Sequence, residues 1–206
     1  MQTVKANLKG KVIFFATGNI HKFNEARVVL AQNGLAVSML RAKAVEIQSD
    51  SLAEIASASA VEAYTRCHLP LIVEDAGLFV EELKGFPGPY AAYVYKTIEN
   101  AGLLRLMQNV KNRKATFRSA IAYCESDPGK TVCFEGKSTG EITTKERMTS
   151  FESAFGFDPI FQPTGHVRTF AEMTLDEKNG ISHRAQAVRK FAQWYKTHAS
   201  AESESP

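Results

Sequence analysis

The sequence predicts an α/β fold: a mixed, twisted central sheet flanked by helices, in two lobes with the functional site in the cleft between them. Three observations predict it. From residue 11 to about residue 80, apolar runs and amphipathic stretches alternate as strand, helix, strand, helix, strand, an order that yields parallel pairing with crossover helices. Two longer alternating runs, "ATFRSAIAYC" and "KTVCFEGKSTGEI", flank a turn and read as an antiparallel hairpin, which makes the sheet mixed. A chain of 206 residues, 44% hydrophobic and 23% charged, suffices for one domain of ordinary core size.

The elements follow in order. Residues 1–10 are a polar lead-in. "KVIFFATG" (11–18) is a buried strand ended by Gly18. In the helix after it, Phe23, Ala26, Val29 and Leu30 share a face, and Gly34 is placed to cap its C-terminus. "LAVSMLRA" (35–42) reads as a second strand, and Ser51 with Glu54 has the capping-box pattern of a helix running to about Cys67. "LIVEDAGLFV" (71–80) is a third, buried strand. After the turn cluster "GFPGP" (85–89), residues 97–109 give a helix with Ile98, Leu103, Leu104, Leu106 and Met107 on one broad face. The hairpin comes next, joined by "ESDPG". Ser182 then caps a last helix whose Ala185, Val188, Phe191, Ala192 and Tyr195 form the buried stripe. The domain is expected over residues 1–198, and the small, acidic "ASAESESP" (199–206) as a disordered tail.

Composition narrows the function classes. No apolar stretch approaches the roughly 18 residues of a membrane span, and no secretory signal opens the chain, so a soluble, cytoplasmic protein with no membrane partner is expected. The net charge of +3 is mild, and "KNRK" (111–114) falls at a turn, which reads as a solvated loop rather than a nucleic-acid patch. Cys67, Cys124 and Cys133 show no metal-binding or redox spacing and read as reduced core residues.

Three segments carry candidate chemistry. Glu74 and Asp75 interrupt a buried run. An unpaired buried charge costs several kcal/mol, so a cation is expected at this place. "ATGNIHKFNE" (16–25) sets Thr17, Gly18 and Asn19 between a strand end and a helix N-terminus, where free N–H groups, the helix dipole and Lys22 all favour an anion. It lacks the Walker A and GxGxxG patterns, and a plain strand-to-helix turn is the other reading. Open α/β sheets bind ligands at the carboxyl ends of their strands, which brings Glu46, Glu74 and Asp75 to the same edge. Acidic groups facing an anion site repel its ligand unless Mg²⁺ lies between them. In the other reading, Asp75 accepts backbone hydrogen bonds in a turn before Gly77. "SAFGFDPIF" (153–161) places Asp158 among Phe155, Phe157 and Phe161, with Gly156 allowing close approach, and reads either as a nucleobase pocket or as core. Lys178 and the "SHR" of 182–184 add donors near a helix N-terminus in His183 and Arg184. Taken alone, His183 reads as a surface histidine.

In this order, "TGNIHKFNEA", "VEDAGLFVEELKGFPGPY", "FGFDPIF" and "TFAEMTLDEKNGISHR" resemble the inosine triphosphate pyrophosphatase family of non-canonical purine NTP pyrophosphatases, over roughly residues 11–197. The resemblance implies a Mg²⁺-dependent homodimer that cleaves ITP, dITP and XTP between the α and β phosphates. The products are the monophosphate and pyrophosphate, and the nucleotide pool is cleansed of deaminated purines. It implies that Thr17, Gly18, Asn19 and Lys22 hold the triphosphate, that Glu46 and Asp75 serve the metal, and that Asp75 is the general base. It implies further that Phe155 stacks on the purine in a segment with Gly156 and Phe157, and that Asp158, Lys178, His183 and Arg184 recognise the base or its phosphates. The chain departs from the pattern at Ala76, where many members have serine, and at Ala91 and Tyr93, where they have serine and arginine. Two further readings are a Maf-type pyrophosphatase for modified pyrimidine nucleotides and a non-catalytic nucleotide or RNA sensor. Acidic residues at the site argue against a bare RNA surface, whose phosphates call for Lys and Arg.

Overall fold

Short β-branched and aromatic runs build the parallel half of the sheet. The structure, a computed structural model, describes residues 12–41, 47–126, 130–150 and 155–203. In it β1 (Ile13–Ala16) lies between β2 (Val37–Leu40) and β3 (Leu71–Val80), parallel to both. The crossovers carry α1 (Ile20–Gln32) and α2 (Leu52–Cys67). β3 has ten residues against four in β1, so it runs on past the end of β1 after pairing through Leu71 and Ile72. Its far half meets β4 (Pro87–Gly88), and its full length pairs antiparallel with β5 (Lys114–Cys124). β6 (Val132–Ile142) and β7 (Phe161–Pro163) complete the order β2-β1-β3-β5-β6-β7, with β4 set on β3. The expected mixed α/β sheet is therefore present, with α3 (Ala91–Leu106), α4 (Leu175–Ile181) and α5 (His183–Ser203) joining the first two helices around it.

Side chains alternate across a strand, so β3 feeds different cores from its two faces. Ile72 packs with Ile13, Phe15, Val29, Leu30 and Phe191 beneath α1 and α5. Leu71 and Val73 pack on the other face against Ala56, Ala60 and Ala63 of α2. Further along, Leu78 and Val80 enter a third cluster with Leu103, Met107, Phe117, Phe161 and Phe170. The site lies where the parallel half gives way to this third cluster.

Local chemistry explains where elements begin and end, and where expectation and structure differ. Gly34 takes the left-handed conformation expected of a C-terminal cap, with φ +74° and its N–H donated to the Ala31 carbonyl at 2.9 Å. Ser51 caps α2 by accepting the Glu54 N–H at 3.3 Å, but the Glu54 carboxylate accepts from Ser49 Oγ at 2.7 Å, so only half of the expected capping box forms. α3 starts well before residue 97 and is interrupted at Glu99 (φ 55°, ψ −167°). Its first turns carry Tyr93, 70% exposed, and so lack the apolar stripe by which sequence periodicity finds a helix. The Thr174–Glu177 capping box of α4 was not anticipated. α5 continues to Ser203, into the segment expected to be disordered, and the Asp127–Gly129 part of the hairpin turn lies outside the described residues. Ser182 caps α5 as expected, accepting the Ala185 N–H at 3.2 Å. Cys67, Cys124 and Cys133 form no disulfide among the described residues, and Cys124 is buried. No helix among the described residues is long and apolar enough to cross a membrane.

One close approach positions the site. A Cβ at Gly136 of β6 would lie 2.1 Å from the His183 carbonyl oxygen and 2.7 Å from the Ala187 nitrogen. Only glycine lets the first turn of α5 rest directly on the sheet there, which brings Arg184 over β5 and β3.

Candidate active site

The cation demanded by buried Glu74 is supplied by the chain itself. Glu74 projects from β3 toward α1 and α5 with its side chain fully buried. Lys22, in the first turn of α1, sets Nζ 2.9 Å from Oε2, and Arg184 Nε donates to Oε1 at 3.0 Å. Ser119 Oγ, from β5, donates to the same Oε1 at 2.7 Å. Burial alone would raise the Glu74 pKa, but the charges of Arg184 and Lys22 outweigh it and hold the carboxyl at about 2.

From Arg184 the ion pairs continue inward. Its Nη1 donates to Glu25 Oε2 at 2.5 Å, Lys178 Nζ donates to Glu25 Oε1 at 2.8 Å, and Lys178 also pairs with Asp158. Lys22, Glu74, Arg184, Glu25, Lys178 and Asp158 thus alternate in sign, three cations and three carboxylates drawn from α1, β3, α5, α4 and the turn at 158–160. Burial works against charge on Glu25, yet Arg184 and Lys178 hold its carboxyl well below the usual range. Burial also opposes the charges on Lys178 and Arg184, and their carboxylate partners overcome it, so both lie above their ordinary values. Asp158 goes the other way: burial pushes its pKa up against the pull of Lys178, and nearby Glu25 adds to the rise.

The aromatic segment divides between site and core. Phe157 is buried and meets Tyr95 edge-on at 5.5 Å within the third cluster, and Phe161 is fully buried beside Phe117, so neither ring faces the ion network as a base pocket would require. Gly156, at φ +55°, turns the chain between them and Phe155. The half-buried Phe155 ring has Lys178 Nζ 5.8 Å and Arg184 Cζ 5.9 Å from its centroid, within cation–π range. His21 stacks on it at 5.0 Å with an interplanar angle of 19°. His183 is interior rather than on the surface: its ring lies flat on Phe117 at 4.7 Å and 8°. Burial, reinforced by Arg184, pushes its pKa well below 6.5, so the imidazole is neutral at physiological pH. Its Nδ1 is buried with no hydrogen-bond partner among the described residues.

At the mouth of α1 the N–H groups of His21 and Lys22 are already occupied. Asn19 Oδ1 accepts the N–H groups of His21 and Lys22 at 3.0 and 3.1 Å, and Thr17 Oγ1 accepts that of Asn19 at 3.1 Å. Gly18 is exposed, with open space around its Cα. This junction therefore offers a ligand the Lys22 cation more than free backbone N–H groups. Asp75, one residue beyond Glu74, projects to the opposite face, on the side of α2, and is half-buried. The adjacent carboxylates do not act as a pair: Glu74 is committed to Lys22, Arg184 and Ser119, and Asp75 shares none of these partners. Glu46 lies outside the described residues, and among those described no group of three or more His, Cys, Asp or Glu is placed to hold a metal ion.

Two site residues were missed by the sequence reading, Glu25 and Ser119. Glu25 did carry a signal: it directly precedes Ala26 on the buried side of α1 and follows Lys22 by three residues, so an acid there needed a partner. Ser119 carried none, because a serine in an alternating strand is unremarkable until the register places it opposite Ala76 and beside Glu74.

The sequence profile of the Ham1 family matches residues 13–194. A dITP/XTP pyrophosphatase of Methanopyrus kandleri is 48% identical over 90% of this chain and 97% of its own length. One of Thermococcus kodakarensis is 50% identical over 88% and 96%. Among solved structures, a HAM1 protein from Coxiella burnetii superimposes with a TM-score of 0.78 at 27% identity, over 91% of this chain and all of the other. A nucleoside-triphosphatase / dITP/XTP pyrophosphatase from Mycobacterium abscessus gives 0.66 at 29% identity, over 87% and 98%.

Proposed function

The chain belongs to the Ham1 family, and from that premise we propose that it is a pyrophosphatase for non-canonical purine nucleoside triphosphates. It hydrolyses ITP, dITP and XTP at the α–β bond to the monophosphate and pyrophosphate, and so clears deaminated purines from the nucleotide pool. One observation carries the reading: Lys22 and Arg184 share the buried carboxylate of Glu74, which joins a cation at the helix mouth to the donors beside Phe155. Such a site has a polyphosphate end and a base end in one connected network.

In the mechanism, the purine lies against Phe155 and its 6-oxygen meets donors of Arg184 and Lys178. Arg184 spends Nε on Glu74 and Nη1 on Glu25, and the Nη2 donors of its guanidinium are the ones assigned to the base. A 6-amino group, as in ATP, would leave these donors facing a donor, a mismatch worth about 1–3 kcal/mol. Lys22 neutralises charge on the polyphosphate as it departs. Asp75 orients a water and takes its proton while the water oxygen bonds to the α-phosphorus and the bridging P–O bond to pyrophosphate breaks. The half-buried Asp75 carboxylate fits Mg²⁺, which takes hard oxygens and needs only one or two carboxylates besides substrate phosphates. Asp75 and Glu46 would hold the ion, which supplies positive charge to the polyphosphate. The enzyme acts as a cytoplasmic homodimer on free nucleotides, with neither nucleic acid nor membrane as partner; light scattering checks the dimer.

The test is a panel of ITP, dITP, XTP, GTP, ATP and modified pyrimidine triphosphates at fixed Mg²⁺, scored for pyrophosphate. ITP, dITP and XTP should exceed ATP by about tenfold or more in kcat/KM. Equal turnover of ATP, or a preference for the pyrimidines, overturns the reading.

A further inference from the structure

The contact between His21 and Phe155 has no part in the mechanism above. Resting on that functional reading, we propose that His21 is a gate on the base site: its imidazole covers Phe155 in the free enzyme, and the incoming purine displaces it.

The argument is geometric. The two rings are nearly parallel, with centroids 5.0 Å apart. A base inserted between two rings needs roughly 7 Å, twice a van der Waals carbon contact, so no purine enters between these rings while this stack stands. A base within reach of Lys178 and Arg184 must approach the Phe155 ring, and His21 lies against that ring. The backbone of His21 is fixed, because its N–H is held by Asn19 Oδ1 at 3.0 Å in the first turn of α1. Its side chain is exposed, so rotation about χ1 opens the gate without moving the helix. Position 21 also immediately precedes Lys22, which places the gate beside the polyphosphate cation. Binding therefore exchanges an imidazole–Phe155 stack for a purine–Phe155 stack. The cost of opening is common to every nucleotide, which lowers affinity without changing the order of preference among bases.

The experiment uses the full chain with inosine monophosphate as probe. His21→Ala should lower the Kd by about two- to tenfold, the worth of one aromatic pair, and should lower KM for ITP and XTP by the same factor. In the free wild type, the His21 ring protons should carry an upfield ring-current shift that Phe155→Ala abolishes and that saturating inosine monophosphate releases. A raised Kd in His21→Ala would show the ring holding the purine rather than yielding to it, and would overturn the gate. Unchanged affinity with unmoved His21 resonances overturns it equally. In both cases a wild type that still hydrolyses ITP leaves the functional reading standing, whereas one that neither binds the monophosphate nor hydrolyses ITP removes both.

Discussion

Arg184 lies 3.0 Å from Glu74 where neither side chain meets solvent, their exposures being 3% and 0%. Each is the other's replacement for water, and each has a second partner of opposite charge.

Glu74→Gln strands Lys22 and Arg184 without their shared counter-charge. Removing one member of a buried pair costs about 3–5 kcal/mol, so the denaturation midpoint should fall accordingly, and Arg184→Met in the same chain should recover part of the loss. A change below about 1 kcal/mol would place the stability of this region elsewhere.

Acid should unfold the protein in two stages. His183 is held below 6.5 in the fold, first by burial, so the unfolded state binds its proton more readily and stability falls as pH drops below 6.5. Glu74, at about 2 against 4.5 unfolded, contributes stability that is complete above 4.5 and lost between 4.5 and about 2; Glu25 shifts in the same direction. Asp158, raised above 3.8, has the opposite sign and offsets part of this. Each proton contributes a slope of about 1.4 kcal/mol per pH unit. In urea titrations from pH 7 to pH 3, His183→Gln should flatten the first stage and Glu74→Gln the second.

Asp75→Asn keeps size and shape while removing the proposed base. The rate should fall by about 10² to 10⁴, with the thermal midpoint and the affinity for inosine monophosphate little changed. A fully active variant would end the assignment of Asp75.

Phe155 and Phe157 stand two residues apart and should fail differently. Phe157→Ala empties a core position and should cost about 3–5 kcal/mol of stability. Phe155→Ala should leave stability nearly intact and, by removing base stacking, raise KM roughly five- to a hundredfold. Parallel denaturation and kinetics separate them, and a KM effect at Phe157 would contradict the placement of its ring.

What the sequence disclosed was what local patterns encode. The ten-residue β3, the capped starts of α2 and α5, and the β5–β6 hairpin all follow from periodicity and cap chemistry. The acidic pair announced that a cation was required, but not that Lys22 and Arg184 would be that cation. Glu25 and Arg184, 159 positions apart, meet only because α1 and α5 pack on the same face of the sheet. The three phenylalanines of 155–161 looked alike because composition does not say which way a chain turns; Gly156, with φ +55°, decides it. His183 looked like a surface residue because nothing local foretold the Gly136 contact that lowers α5 onto β6.

Glu74 and Asp75 are neighbours in the chain and strangers in space, because a strand sends successive residues to opposite sides. Gaining or losing a single codon between Leu71 and Glu74 would therefore move the partner of Lys22 and Arg184 to the α2 side and bring the acid we propose as base to the other. No later point substitution at either position would undo that exchange, since every residue from there to the end of the strand would have changed sides with them.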